Sequence, residues 1–184
     1  MQQVIIQGRG GQGAQTAGSL LAEAFFAEGK QVQSFASYGG ARRGTPVSSF
    51  IRIDDKPVRV RCDIDKPDAI LCFDASLLEG RDGSLLKLAT KDTLIVVNSS
   101  KTVSDLRLLG DFRFVPIDGI AISQKNKLGR IVNSALLGAF AFVLRAPAIE
   151  TMSRTIAESA PKKKDENVQA CMDGYTRARE LLSA

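Results

Sequence analysis

Gly8-Arg9-Gly10-Gly11-Gln12-Gly13 is the stretch whose residue types and spacing bear most directly on chemistry. Four glycines in six residues let a backbone turn sharply and bring its N–H groups up to a ligand or a neighbouring chain. The apolar run Val4-Ile5-Ile6 precedes it, and an apolar periodic segment follows from about Thr16, so the local order is strand, glycine turn, helix. The positive end of such a helix favours an anion at the turn. Gly8, Gly10 and Gly13 fit the spacing Gly-x-Gly-x-x-Gly of dinucleotide sites. That pattern also calls for an acid at the end of the second strand, and Gln31-Val32-Gln33-Ser34-Phe35-Ala36-Ser37 has none. The residues therefore favour a tight strand–helix turn with close packing over NAD or FAD binding. A phosphate of another ligand, or a partner subunit, stays open.

A second candidate is Tyr38-Gly39-Gly40-Ala41-Arg42-Arg43-Gly44-Thr45-Pro46, a loop with paired arginines held between glycines. Arginine forks match phosphate and carboxylate bidentately, and the flanking glycines permit a close backbone approach. Arg52, Arg59 and Arg61 lie close by and read as the charged outer face of a hairpin. A pI near 9.3 would suit nucleic acid. Against that, only 6% of residues are aromatic, there is no tryptophan, and no recognition helix or stacking platform is visible, so nucleic-acid binding is not expected.

The elements that position these loops read as an alternating α/β chain. A first helix is expected from about Thr16 to Glu28, with Gly29 as its left-handed stop, and a second strand over Val32 to Ser37. Val47 to Ile53 alternates in polarity, Asp54-Asp55-Lys56-Pro57 has turn chemistry, and Val58 to Cys62 alternates again, which predicts an antiparallel hairpin. Ala69 to Asp74, Thr93 to Asn98 and Phe112 to Pro116 read as buried strands. Helical stretches are expected near Ser76 to Leu78, Ser84 to Leu88 and Ile117 to Gln124. Asn133 to Leu144 is apolar almost all round, the mark of a helix in the core or at a subunit contact. Pro147 opens a helix through about Ala160, Pro161-Lys162-Lys163-Lys164 breaks it, and a final helix runs from Glu166 to Leu182 with Val168, Cys171 or Met172, Tyr175 and Leu182 on one stripe. The expected fold is a three-layer α/β arrangement, a Rossmann-like variant. Its sheet is mixed but mostly parallel, with an antiparallel hairpin and helices on both faces, in a single domain over 1–184.

Composition narrows the chemistry. A hydrophobic share of 44% and a mean hydropathy of -0.02 are those of an ordinary globular chain. The apolar runs are too short for a membrane span, and Met1 leads into a strand pattern without an export signal, so a cytoplasmic location is expected. Cys62, Cys72 and Cys171 are too few and scattered for a disulfide framework or an iron–sulfur ligand set, and read as small apolar residues. The chain has no histidine, which removes the commonest general base and metal ligand, so no catalytic residue and no metal ligand is assigned.

Three separated motifs agree with one family. Gly8-Arg9-Gly10-Gly11-Gln12-Gly13 resembles the Gly-x-Gly-Gly-Gln-Gly opening of the γ subunit of 2-oxoacid:ferredoxin oxidoreductases. Ser37 to Val47, followed by Phe50-Ile51-Arg52, resembles its second signature, and Asn133 to Ala139 resembles its Asn-x-x-x-Leu-Gly-Ala helix. Gly40-Ala41 stands where the family often has Pro-Glu, so any role of that acid is absent. Gly44-Thr45-Pro46 resembles the pyruvate, 2-ketoisovalerate or aryl-glyoxylate enzymes more than the indolepyruvate type.

The resemblance implies a subunit that is not catalytic alone, in a complex that oxidatively decarboxylates a 2-oxoacid to its acyl-CoA and passes electrons to ferredoxin or a similar acceptor. Its partners would be α, β and ferredoxin-like δ subunits, which hold the thiamine diphosphate, Mg and [4Fe-4S] clusters. For this chain it implies a contribution to subunit contacts and to the coenzyme A side of a shared site. The candidate binding residues are Gly8, Gly10, Gly11, Gln12, Gly13, Tyr38, Arg42, Arg43 and Gly44. Whether they touch coenzyme A or only partner subunits is left open at this level. The alternatives are a free-standing nucleotide- or phosphate-binding α/β module and a scaffold in an unrelated complex.

Overall fold

A computed structural model describes residues 1–38, 44–79 and 85–183. Its frame is a six-stranded sheet built from β1 (Gln2–Arg9), β2 (Gln31–Tyr38), β3 (Pro46–Asp54), β4 (Ala69–Cys72), β5 (Leu94–Asn98) and β6 (Arg113–Ile117), in the order β2-β3-β1-β4-β5-β6. β1, β4, β5 and β6 are parallel neighbours, whereas β3 runs antiparallel to both β2 and β1. The mixed sheet is thus as expected, but its antiparallel hairpin is β2–β3 and not one made by Val58 to Cys62, which form no strand.

Arg52 explains that difference. Read as an outer-face charge, it is in fact 3% exposed. Its guanidinium donates to Gln3 Oε1 at 3.0 Å, to the Cys62 carbonyl at 2.8 Å and to the Asp63 carbonyl at 3.2 Å. The segment after β3 is therefore drawn across the sheet face instead of pairing along its edge, and Ile64 is buried beneath it. Arg59 and Arg61 do face solvent, with Arg61 5.9 Å from the centroid of the Phe35 ring. Val60 is also exposed, so the alternation around it marks no buried face.

The sheet's two faces are covered differently. One packs Val4, Ile6, Ile51, Leu71, Val96 and Val115 against the long helices α1 (Ala14–Ala27), α4 (Asn133–Leu144), α5 (Ile149–Ser159) and α6 (Lys164–Ser183). The other packs Ile5, Phe50, Ile70, Ile95 and Phe114 against Ile64, short 3-10 turns at Ala75–Leu77 and Leu85–Lys87, and Leu106 of the four-residue α2 (Val103–Leu106). α3 (Gly119–Lys125) leads from β6 back towards α4. α1 begins two residues before the expected start, and Gly29 takes the left-handed φ of 80° expected of it.

α4 is a core helix, because it is covered on both sides, by the sheet and by α6. A Cβ on Gly138 would lie 1.9 Å from the Cys171 carbonyl oxygen, and one on Gly174 would lie 1.9 Å from that of Ala135. Reciprocal glycines thus let the two backbones touch where they cross. The stripe α6 buries is made of small residues, Ala170, Cys171, Gly174 and Ala178, with Tyr175 packed edge-on against Phe142 at 5.1 Å.

Candidate functional site

The carboxyl ends of β1, β4 and β5 meet at one edge, where open α/β sheets hold their ligands. The glycine turn lies there as a ridge between two clefts. The larger, about 740 Å3, is lined by Arg9, Gly10, Gly11, Tyr38, Thr45 and the start of α1. The smaller, about 490 Å3, is lined by Gln12, Phe73, Asn98, Ile120, Arg130 and Asn133 among others.

Each glycine of the turn that the geometry explains has its own reason. At Gly8 a Cβ would press on Phe73 and Ala14 at 3.1 and 3.2 Å, so its absence lets α1 pack against the sheet. Gly11 and Gly13 adopt φ of 96° and 90°, a region L side chains rarely enter. Gly13 also abuts the Asn133 amide, which a Cβ would meet at 2.5 Å, and its carbonyl accepts from Asn133 Nδ2 at 3.2 Å. Gly10 N–H donates to the Thr45 carbonyl at 2.9 Å.

The turn is held from below by one carboxylate. Asp74, just past the end of β4, accepts from Arg9 Nε at 2.9 Å and from Gln12 Nε2 at 3.2 Å through the same oxygen. Its other oxygen accepts from Ser76 Oγ and the Ser76 N–H at 2.6 and 3.0 Å. Gln12 closes the loop on itself, its Oε1 accepting from Arg9 N–H at 2.7 Å. Arg9 further reaches the Gly44 carbonyl at 3.3 Å and Ser76 Oγ at 2.7 Å. Partial burial alone would raise the Asp74 pKa, but the hydrogen bonds from Ser76, Gln12 and Arg9 outweigh it and hold the carboxyl below its ordinary value.

The larger cleft is lined by Arg9, Gln15, Thr16 and Tyr38 together with glycines of the turn and the first residues of α1. α1 starts at Gly13 with no side-chain cap and no acid in its first turn. The N–H groups at the start of a helix have no partner within it, so this end of α1 presents donors and a positive dipole to the cleft. Tyr38 borders the same cleft, 56% exposed, its hydroxyl donating to Gln15 Oε1. Gly44 has φ of 89° and meets Arg9, so both described ends of the second motif come to the glycine turn. Arg42 and Arg43 lie outside the described residues.

Of the candidate residues, Gly8, Gly10, Gly11, Gln12, Gly13, Tyr38 and Gly44 are thus brought together. Sequence reasoning passed over Asp74, Arg9 as a clamp, Ser76, Gln15 and Asn98. Asn98 links two elements, donating to the Phe73 carbonyl at 3.1 Å and accepting from Gly119 N–H at 3.0 Å. The available signal was positional: Asp74 and Asn98 are polar residues closing apolar strands. Burial pushes the Cys72 and Cys171 thiols up to about 12, which keeps them from acting as thiolates, while Cys62 is exposed. Among the described residues no group of three or more Cys, Asp or Glu side chains is placed to hold a metal, and no helix is long and apolar enough to cross a membrane.

A six-stranded mixed sheet with β3 inserted between β2 and β1, and a glycine turn leading from β1 into α1, make up the fold of a γ-type 2-oxoacid oxidoreductase chain. The model of the family described as pyruvate ferredoxin/flavodoxin oxidoreductase matches residues 3–177, and the chain belongs to that family. It is 38% identical over 176 residues to pyruvate synthase subunit PorC of Methanocaldococcus jannaschii, covering 95% of this chain and 96% of that one. It is 35% identical over 186 residues to the common subunit gamma of the pyruvate/ketoisovalerate oxidoreductases of Pyrococcus abyssi, covering 97% and 98%. The crystal structure of pyruvate oxidoreductase subunit PORC from Thermotoga maritima superposes with a TM-score of 0.82 at 30% identity, over 95% of each chain. The chain is accordingly a subunit of an oxidoreductase complex of the pyruvate:ferredoxin type.

Proposed function

We propose that this chain completes the coenzyme A side of the active site in a complex that oxidatively decarboxylates a 2-oxoacid to its acyl-CoA. In this reading α, β and δ subunits hold thiamine diphosphate, Mg and the [4Fe-4S] clusters, and the electrons leave to ferredoxin or a similar acceptor. The observation that carries it is the uncapped start of α1 opening on a cleft of about 740 Å3 behind Gly11 and Gly13.

The residues fit a phosphate-bearing ligand. A Cβ at Gly11 would meet nothing within 4 Å, so the backbone there is open to an approaching group. Donors from a helix start suit phosphate oxygens, and the absence of an acid from the first turn removes repulsion. Bound coenzyme A would supply the acyl-accepting thiol. This chain's part would be to fix the phosphates with the backbone of Gly11, Gly13 and Gly44, while Gly10, Gln12 and Tyr38, whose donors are already bonded within the chain, hold the turn and the cleft wall, and Arg42 and Arg43 add charge.

Arg43→Ala in the assembled complex tests the reading. The Michaelis constant for coenzyme A should rise while that for the 2-oxoacid stays put. If the former is unchanged and assembly fails, the arginine serves subunit contact alone.

A further inference from the structure

A third depression, about 480 Å3, lies between α1, the loop before α4 and the corner joining α5 to α6. It shares Thr16 with the larger cleft and Ile131 and Asn133 with the smaller. Its walls are mainly apolar: Leu20, Leu128, Ile131, Ile156, Ala160 and Pro161. The polar side chains there are largely paired already. Ser134 Oγ donates to Asn167 Oδ1 at 2.7 Å, and Asn167 Nδ2 donates to the Lys163 carbonyl at 2.8 Å.

Three features of the rim set the chemistry of what would cover it. Ile131 is 59% exposed, in a loop fixed by Ser123 Oγ donating to its carbonyl at 2.8 Å and by burial of Leu128. Lys163 donates to the Lys127 carbonyl and so ties the corner to that loop. Lys162 lines the groove and Arg130 the adjoining cleft, and among the described residues neither meets a carboxylate. Among the described residues no acid lines the groove; Glu158, Asp165 and Glu166 belong to the flanking helices.

We propose that this groove is a docking surface for another subunit of the complex. It takes a segment whose apolar side chains seat on Leu20, Leu128, Ile131 and Ile156 and whose Asp or Glu meets Lys162 and Arg130. An apolar floor with an unpaired basic rim is the anatomy of a subunit interface and the charge complement of an acidic-edged apolar segment. The inference needs only that the chain works as a subunit, and does not depend on the coenzyme A reading.

Acetylation of lysines in the native complex and in the dissociated full chain, followed by peptide mass spectrometry, tests it. Lys162 should react about tenfold more slowly in the complex. Zero-length carbodiimide coupling should join it to a carboxylate of a different subunit. Ile131→Asp should weaken assembly about tenfold in native mass spectra at graded dilution, as for one buried interface anchor. The exposed position of Ile131 leaves the melting temperature of the chain unchanged. Equal reactivity of Lys162 in both states, coupling to a second copy of this chain, or assembly of the Ile131→Asp variant as tight as the parent's would each overturn the proposal. None of these readouts involves the Michaelis constant for coenzyme A, so the two proposals fail separately.

Discussion

Arg9 Nε lies 2.9 Å from Asp74 Oδ2, joining the ends of two adjacent parallel strands that are 65 residues apart in the chain. The same oxygen takes Gln12, so one carboxylate sets both the floor and the closure of the glycine turn. Charge-assisted bonds of this kind are the stronger hydrogen bonds of a protein, and here they hold the glycine turn in place.

Asp74→Asn should therefore loosen the turn more than it destabilises the fold. The loss is about 1–2 kcal/mol, because the ion pair is partly solvated. In the assembled complex the Michaelis constant for coenzyme A should rise several-fold while kcat moves little, with Asp74→Glu restoring part of the difference. Equal constants for parent and variant would show that the turn is not a ligand element.

The pH dependence of that pair has a defined sign. The Asp74 carboxyl is held below its ordinary value, so its contribution is present above the unfolded carboxyl pKa of about 4 and is lost as pH falls through the lower folded value. The gap in melting temperature between the parent and Asp74→Asn should stay constant from about pH 7 to 5 and close below about pH 4. A gap that widens on acidification would contradict the pairing.

Gly138→Ala pits helix propensity against a collision. Alanine gains up to about 1 kcal/mol in a helix interior, but its Cβ would stand 1.9 Å from the Cys171 carbonyl oxygen. Backbone cannot step aside as a flexible side chain can, so the collision wins. A net loss of about 3 kcal/mol is expected, lowering Tm by roughly 6–12 °C in a calorimetric scan. An unchanged Tm would place α4 and α6 farther apart.

Arg52 should be equally sensitive, for another reason. Arg52→Ala leaves the Cys62 and Asp63 carbonyls without their donors and opens a gap under the covering segment, at a cost of about 2–4 kcal/mol. Arg52→Lys keeps the charge but not the fork, and should recover little of it. Limited proteolysis should show the segment between Asp54 and Ala69 cut first in both variants.

The local elements were legible in the chain itself. Glycine spacing after an apolar run gave the strand–turn–helix, near-continuous apolar runs gave β4, β5 and β6, and the all-apolar Asn133–Leu144 gave a helix with those bounds. The three motifs also carried the family. Tertiary structure decided which faces meet. Val58 to Cys62 alternates as a strand would, yet β3 lies between β2 and β1 and takes β2 as its hairpin partner, because periodicity reports sidedness and not the neighbour that supplies it. Arg52 looked like surface because its acceptors are backbone carbonyls, which a sequence does not display as opposite charges. Asp74 under the turn and Asn133 against Gly13 are 62 and 120 residues from the groups they hold, distances bridged only when β4 lies beside β1 and α4 packs against α1.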